Sequence, residues 1–241
     1  MRCAILGDIH ANIHAFEAVV ADARAYGCTE FQLLGDVVGY GAFPSECVEL
    51  ARSLTRICVL GNHDQAAAAE ITLADFSETA SVSLEWTRGK LSADQRSWLG
   101  ALMPRRQVRG TTLVHASLDS PLSWGYVRSL ATAELSMALQ GLPVCFIGHT
   151  HVPIGYVHGG EEFSLGTGEG ISLDPKSKYL INAGSVGQPR DGDWRAAYLI
   201  HDEDERGLWL RRVEYDVESA ASAVLSAGLP EKLATRLRTG S

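Results

Sequence analysis

One device, repeated along the chain, constrains the fold more than any other feature: a short apolar run ends on a glycine and is followed at once by residues that hold cations or phosphates. It occurs as Ile5-Leu6-Gly7-Asp8-Ile9-His10, as Leu33-Leu34-Gly35-Asp36, as Leu60-Gly61-Asn62-His63-Asp64 and as Ile147-Gly148-His149-Thr150-His151, with Val114-His115 as a variant lacking the glycine. Short apolar runs bounded in this way read as buried strands. In open α/β sheets ligands bind in the crevice at the carboxyl ends of the strands, which is where each cluster falls. The glycines let the backbone turn sharply and leave room for a cation.

The intervening segments alternate accordingly. Arg2 to Leu6 reads as a strand, and Ile13, Phe16, Val19, Val20 and Ala23 recur at helical spacing after it. Phe31 to Leu34 is a second strand, Pro44 to Leu54 a helix opening on proline, and Arg56 to Leu60 a third strand. This βαβαβ order predicts a central, largely parallel sheet with helices on its outer face. Residues 64–102 read as a helical excursion, with Ser92 and Gln95 in capping-box spacing. Beyond it, strands are expected at 105–108, 111–115, 144–148, 154–157, 162–165, 179–182, 196–200 and 208–213, with one helix near 132–140, so the second half builds another sheet. Gly159-Gly160 reads as a hairpin turn, residues 166–178 as a polar, mobile loop, and residues 217–238 as amphipathic helices broken at Gly228-Leu229-Pro230.

With 241 residues, 46% of them hydrophobic and 21% charged, the chain can bury a substantial core, and disordered, collagen-like and coiled-coil readings drop out. No linker forces a boundary, so one domain over 1–241 is expected. A net charge of −8 disfavours general nucleic-acid binding. The five cysteines (Cys3, Cys28, Cys47, Cys58, Cys145) include no C-x-x-C pair and imply reduced thiols, not a disulfide framework. The first apolar run is too short for a signal-peptide core and none approaches a membrane span, so a soluble, cytoplasmic protein is expected.

Two carboxylates, Asp8 and Asp36, one amide, Asn62, and four imidazoles, His10, His115, His149 and His151, form a mixed oxygen and nitrogen set. Such a set suits borderline divalent ions such as Mn, Fe or Zn. Seven side chains exceed one tetrahedral ion and fit two ions roughly 3.5–4 Å apart with a shared carboxylate. Two such ions also give an acidic protein a positive pocket without a basic patch. Average residue usage puts Gly-Asn-His-Asp at roughly one chance in a thousand for a chain of this length, and Gly-His-Thr-His is similarly rare.

In order, D-x-H, GD, GNHD, a single His and GHTH resemble the calcineurin-like metallophosphoesterase superfamily. The stretch Asn182-Ala183-Gly184-Ser185-Val186-Gly187-Gln188-Pro189-Arg190 resembles its small bacterial phosphodiesterase branch, which includes dinucleoside-polyphosphate-cleaving members. The resemblance implies a four-layer α/β/β/α sandwich. It places Asp8, His10, Asp36 and His151 on one ion and Asp36, Asn62, His115 and His149 on the other, with Asp36 bridging. Mn is the first choice of metal, with Fe, Zn, Ni or Mg as alternatives. His63 takes the role of the histidine that contacts the scissile phosphate and assists the leaving group, with Asp64 as its orienting partner. Asp36-Val37-Val38-Gly39-Tyr40-Gly41 lacks the D-R-G of the phosphoprotein phosphatases, which disfavours that branch.

The implied activity is hydrolysis of small phosphodiesters or nucleotide-type phosphoanhydrides by a metal-activated hydroxide, with inversion at phosphorus. A catalytically silent scaffold, as in the retromer subunit of the same fold, a nucleotide-sensing module, and a phosphomonoesterase or protein phosphatase are the alternatives. Tyr40, Phe43, Trp124 and Tyr126 follow ligand-bearing strands and are candidates for stacking on a base, Tyr40 and Asn62 being placed among the substrate contacts. Arg190 either binds phosphate or neutralises Asp191. His14, His158 and His201 are expected to be solvated, and Asp202 to Arg206 to form a charged hairpin tip.

Overall fold

The computed structural model describes residues 1–69, 71–168 and 170–241. Strand β1 (Arg2–Leu6) leads through a tight loop into helix α1 (Ile13–Ala25). The Asn12 side chain starts that helix by accepting from the Ala15 amide at 3.2 Å, and its Phe16, Val19, Val20 and Ala23 turn inward as the spacing requires. Strand β2 (Glu30–Leu33) and helix α2 (Pro44–Leu54) follow. The strand expected at 56–60 shrinks to two bridges, Leu33 to Cys58 and Val59 to Met103. Its partner runs out, because the chain beyond β2 swings away at Gly35, whose φ is +87°, and Gly61 already caps the next helix.

The helical excursion comprises α3 (Asn62–Ala68), α4 (Glu78–Lys90) and α5 (Ala93–Gly100), the last opened by the reciprocal Ser92–Gln95 capping box; position 70 within it lies outside the described residues. Then come β3 (Arg105–Val108), β4 (Thr111–Val114), α6 (Leu130–Ala138), β5 (Val144–Ile147), β6 (Ile154–Val157) and β7 (Glu162–Ser164). The chain closes with β8 (Ile171–Ser172), β9 (Tyr179–Asn182), β10 (Ala196–Asp202), β11 (Gly207–Val213), α7 (Val217–Ser226) and α8 (Glu231–Thr239). Gly159-Gly160 turns the β6–β7 hairpin, while the loop at 166–178, whose position 169 lies outside the described residues, contains the short β8.

One sheet has the order β2-β1-β10-β11-β8 and the other β3-β4-β5-β9-β6-β7. Both are mixed, which corrects the expectation of a largely parallel sheet. β1 is parallel to β2 through the α1 crossover and β4 to β5 through α6, but the short connection between β10 and β11 makes them an antiparallel hairpin. That hairpin pairs with β1, and β8 joins its far side, so the second half of the chain completes the first sheet as well as building the second.

Alternation along β1 produces the layers. Cys3 and Ile5 face the other sheet and pack with Leu113, Phe146, Ile181 and Leu199, whereas Ala4 and Leu6 face Phe16, Val19 and Val48 on the helices. On the outer side of the second sheet, Val114, Cys145, Ile147 and Leu180 pack under Ala133 and Met137 of α6. The result is the expected α/β/β/α sandwich. The α7–α8 hairpin turns at Gly228, φ +73°, and Leu233 and Leu237 of α8 pack with Tyr40. All five cysteines are buried and free. No helix among the described residues is long and apolar enough to cross a membrane.

Candidate metal centre

The ends of β1, β2, β4, β5 and β9 meet at one place, and the backbone there is strained to achieve it. Ten described non-glycine residues have positive φ, and Asp8, His10, Ala11, Asp36, Tyr40, Trp124, His149 and His151 are among them. Left-handed backbone in such residues costs free energy and persists only where the surroundings enforce it. Two glycines make the packing feasible. A Cβ on Gly61 would lie 2.1 Å from Asp36 Oδ1, and one on Gly148 would lie 2.4 Å from Asp8 Oδ2, so these glycines make room for the carboxylates.

Asp8, His10 and His151 offer ligand atoms within 4.8 Å of one another, and so do Asp36, His115 and His149. His151 Nε2 lies 3.2 Å from Asp8 Oδ1 and 3.1 Å from His10 Nε2, while His10 Nε2 lies 3.7 Å from Asp36 Oδ2. On the other side His115 Nε2 lies 3.3 Å from Asp36 Oδ2, 3.2 Å from Asn62 Oδ1 and 3.2 Å from His149 Nδ1. Asp36 thus lies beside both groups, and with His10 and His63 it makes a third set within the same 4.8 Å. All seven side chains are at least nine-tenths buried.

The remote nitrogen of each imidazole decides what these short distances mean. His10 Nδ1 donates to the Val38 carbonyl at 3.1 Å, His115 Nδ1 to that of Leu34 at 2.8 Å, His151 Nδ1 to that of Gln188 at 2.6 Å, and His149 Nε2 to that of Trp124 at 2.9 Å. With a proton committed there, each ring turns its other nitrogen inward, so lone pair faces lone pair across about 3 Å whenever the rings are neutral, the form in which imidazoles bind metal. Lone pairs so opposed are stabilised by a cation between them, and carbonyl-anchored imidazoles are the usual outer support of metal ligands. The donor set therefore fits divalent ions.

Protonation follows the same logic. Burial holds His10 well below the ordinary histidine value, helped by His151, and takes His149 down to about 3, with His115 adding to the effect. Burial also opposes a charge on His115, yet Asp36, Asp8 and the Leu34 carbonyl outweigh it and push its pKa up to about 10. Burial would raise both carboxylates, but the imidazoles, His151 foremost for Asp8 and His115 for Asp36, hold them below the usual range.

His63 lies beside this cluster. Its amide donates to Asp36 Oδ1 at 2.8 Å, its buried Nδ1 has no partner among the described residues, and its ring centre is 4.9 Å from that of His10. Gly39, φ +88°, admits it, because a Cβ there would lie 2.3 Å from Nδ1. Asp64 does not orient His63. Its carboxylate accepts from the amides of Val37 at 2.8 Å, Val38 at 3.3 Å and Gly61 at 3.1 Å, fixing the loop that carries Asp36. Burial and the Asp36 charge push its pKa up to about 7.

A cleft of about 640 Å³ opens over the centre, lined by Asp36, Tyr40, Asn62, His63, Phe76, Trp124, Tyr126, His149, His151, Arg190 and Arg236 among others. The expected aromatics divide. Tyr40 is buried with His10, His63 and Arg190 against its ring, so it offers no face to a base. Phe43 packs edge-on against His14 at 5.4 Å, outside the cleft. Tyr126 stacks on His149 at 4.3 Å beneath Arg128 and remains about half exposed, while Trp124 lines the cleft edge-on to His115 with its Nε1 donating to Gln65 Oε1 at 3.2 Å.

Arg190 reaches the cleft, and Asp191 is paired with Arg212 instead. Of the histidines expected in solvent, His158 pairs with Glu134 at the surface, His14 is half-buried, and His201 is buried between the sheets against Phe146. Sequence reasoning assigned no role to Asn182, Ser185 or Gln188. Ser185 Oγ donates to the Asp8 carbonyl at 2.7 Å, Asn182 Nδ2 to that of Gly148 at 2.5 Å, and the Gln188 carbonyl anchors His151. The unusual polarity of that stretch after a buried strand was the available signal.

Residues 1–206 match the family model described as the calcineurin-like phosphoesterase superfamily domain. Over 242 aligned residues the chain is 37% identical to an uncharacterised protein of Methanocaldococcus jannaschii, covering 98% of this chain and 97% of that one. The crystal structure of a metallophosphoesterase from Sphaerobacter thermophilus superposes with a TM-score of 0.91 at 38% identity, over 100% of this chain and 99% of that one. A hypothetical protein from Pyrococcus horikoshii gives a TM-score of 0.83 at 18% identity, over 100% and 98%.

Proposed function

We propose that this chain, which belongs to the calcineurin-like phosphoesterase superfamily, hydrolyses small phosphodiesters or nucleotide-type phosphoanhydrides at a centre of two divalent ions. The observation that carries this reading is the pair of inward-facing imidazole sets, each locked by carbonyl bonds, with Asp36 between them. Asp8, His10 and His151 would hold one ion, and Asn62, His115 and His149 the other. Asp36 would be shared. Bound there, Mn or a similar ion supplies a water of lowered pKa and neutralises phosphoryl oxygens.

The side chains then do the rest. Nothing in the set need form a covalent intermediate, so one displacement with inversion is expected. Burial takes the pKa of His63 down to about 4, so at neutral pH it presents a neutral ring that donates a hydrogen bond to the departing oxygen. Asp64 holds the Asp36 loop in place and does not act on substrate. The net charge of −8 favours a small substrate over long nucleic acid, and the free, buried cysteines suit a reducing compartment such as the cytoplasm.

The test is turnover of purified protein with Mn on an aryl phosphodiester, mononucleotides, cyclic nucleotides, dinucleoside polyphosphates and phosphopeptides. Product from the diester or the polyphosphates is the expected result and excludes a silent scaffold or a sensing module. A phosphopeptide or a DNA duplex turned over faster than every small substrate overturns the substrate class.

A further inference from the structure

Two guanidinium groups share the cleft with the metal centre, and neither is answered by a carboxylate among the described residues. Arg190 belongs to the same stretch that anchors the ligands. Its amide donates to the His151 carbonyl at 3.3 Å, and two residues earlier the Gln188 carbonyl accepts from His151 Nδ1. Its Nη2 donates to Gln188 Oε1 at 3.0 Å, while its buried Nε has no acceptor among the described residues. The guanidinium carbon sits 5.6 Å from the centre of the Tyr40 ring, whose own centre is 4.6 Å from that of His10 and 4.5 Å from that of His63. One aromatic ring therefore separates Arg190 from the ligand cluster.

Arg236 arrives from the other end of the chain, on α8, beyond the residues the family model matches. Leu233 and Leu237 of that helix pack with Tyr40, which brings Arg236 to the same cleft wall as Arg190. Four arginines of the same C-terminal region are paired: Arg195 with Asp193, Arg211 with Asp22, Arg212 with Asp191, and Arg238, two residues along α8, with Glu218 at 2.8 Å. Among the described residues, the carboxylates lining the cleft are Asp36, within the ligand cluster, and Asp75, which is exposed. Burial and the charge of Arg190 hold the Arg236 pKa below its ordinary value, so the two cations are kept together at a cost.

We propose that Arg190 and Arg236 bind a second phosphoryl group adjoining the one at the metal centre, so that the site is built for phosphoanhydrides rather than for lone phosphodiesters. The proposal rests on the phosphoesterase reading above. A substrate with one phosphate has all its charge met at the metal centre and leaves both arginines unanswered. A neighbouring phosphoryl group supplies the acceptors that an orphaned Nε and a second planar fork require, and guanidinium matches phosphate bidentately. The device is specific because a net charge of −8 leaves no general attraction for phosphate elsewhere.

Turnover of symmetrical dinucleoside polyphosphates and of an aryl phosphodiester is compared in the wild type and in Arg236→Ala, Arg236→Lys and Arg238→Ala, with titration of inorganic pyrophosphate and inorganic phosphate into metal-depleted protein. Loss of a charge-assisted contact of about 1.5–3 kcal/mol predicts that Arg236→Ala loses roughly 10- to 100-fold in kcat/KM on the polyphosphate beyond its loss on the diester. Pyrophosphate binding should weaken by a similar factor, Arg236→Lys should recover part of both, and Arg238→Ala should match the wild type. Equal losses on the two substrates, or pyrophosphate binding unchanged in Arg236→Ala, overturn the proposal while leaving the phosphoesterase reading intact. Absence of any turnover in the wild type overturns that reading instead, and the pyrophosphate titration still decides the role of the arginines.

Discussion

The two ends of β1 bury the same kinds of side chain and treat them in opposite ways. At the N-terminal end, Arg2 faces Asp202 and Cys3 faces His201 across the ladder to β10. Asp202 is 6% exposed and its carboxylate accepts from Arg2 Nε at 3.2 Å, while His201, also 6% exposed, rests edge-on against Phe146. Charge meets charge, and the backbone of both residues is regular strand. At the C-terminal end Asp8 and His10 are buried as deeply, but on left-handed backbone and with acceptor turned toward acceptor. Burial and residue type do not distinguish a structural pair from a ligand set. The balance of donors and acceptors does, because a surplus of inward lone pairs needs a metal ion or an extra proton to share them.

The largest effect should come from breaking the one group common to both halves of the active end. On the proposed reading Asp36→Asn removes a charge shared by two ions, so metal and activity should fall together, turnover by about 10³-fold or more, since both would lose charge stabilisation. Elemental analysis beside the diester assay checks it. Two ions per chain in an active variant would show the shared role to be misplaced.

His63→Ala sharpens the contrast from within the cluster, because His63 points a buried, unpartnered nitrogen where the ligands point bonded ones. It should retain two ions and lose roughly 10²- to 10⁴-fold in turnover, more with poorer leaving groups. If it sheds metal as readily as His149→Ala, His63 is a ligand. Gly148→Ala should do less: its Cβ would sit 2.4 Å from Asp8 Oδ2, forcing the carboxylate to turn. Metal affinity should drop about 10- to 100-fold, as when a ligand's support is disturbed, and excess Mn should restore turnover. Affinity equal to the wild type would mean that Asp8 is not held by this packing.

How far this end was legible in the sequence depends on which atoms define it. The proposed ligands could be picked out because side chains at strand ends carry their chemistry in their letters, and Gly61 and Gly148 marked where carboxylates press against backbone. The carbonyls of Leu34, Val38, Trp124 and Gln188 that fix the imidazole tautomers belong to backbone and leave no trace in composition or spacing. Arg236 reads as an ordinary last-turn arginine of an amphipathic helix until α8 packs on Tyr40. The parallel sheet was mispredicted for a related reason: β1 and β2 are parallel as their spacing requires, but nothing local says that a hairpin 190 residues later will pair with β1. Long-range pairing also buried His201, which beside Asp202 and Glu203 looks like a surface residue.

His201 gives the smallest expected effect and the cleanest control. Burial takes its pKa down to about 4, the N-terminal ammonium reinforcing this and Asp202 opposing it. An unfolded histidine titrates near 6.5, so between these values the unfolded chain binds more protons and stability rises with pH. The neutral imidazole's contribution is therefore complete above about pH 6.5 and is lost as pH falls toward 4, about 3 kcal/mol over the whole window. For a chain of this size that is roughly 6–12 °C in Tm. Metal-depleted His201→Leu should melt within a few degrees of metal-depleted wild type at pH 7.5, and its Tm should fall less steeply below pH 6.5, since the site histidines titrate equally in both. Parallel Tm curves would mean that His201 is protonated or hydrated in the folded protein and that the far end of β1 is not dry. The same variant, reconstituted, should carry the wild-type complement of metal. A histidine as buried as His10, with a depressed pKa of its own, would then be dispensable to metal binding, because no second lone pair faces it.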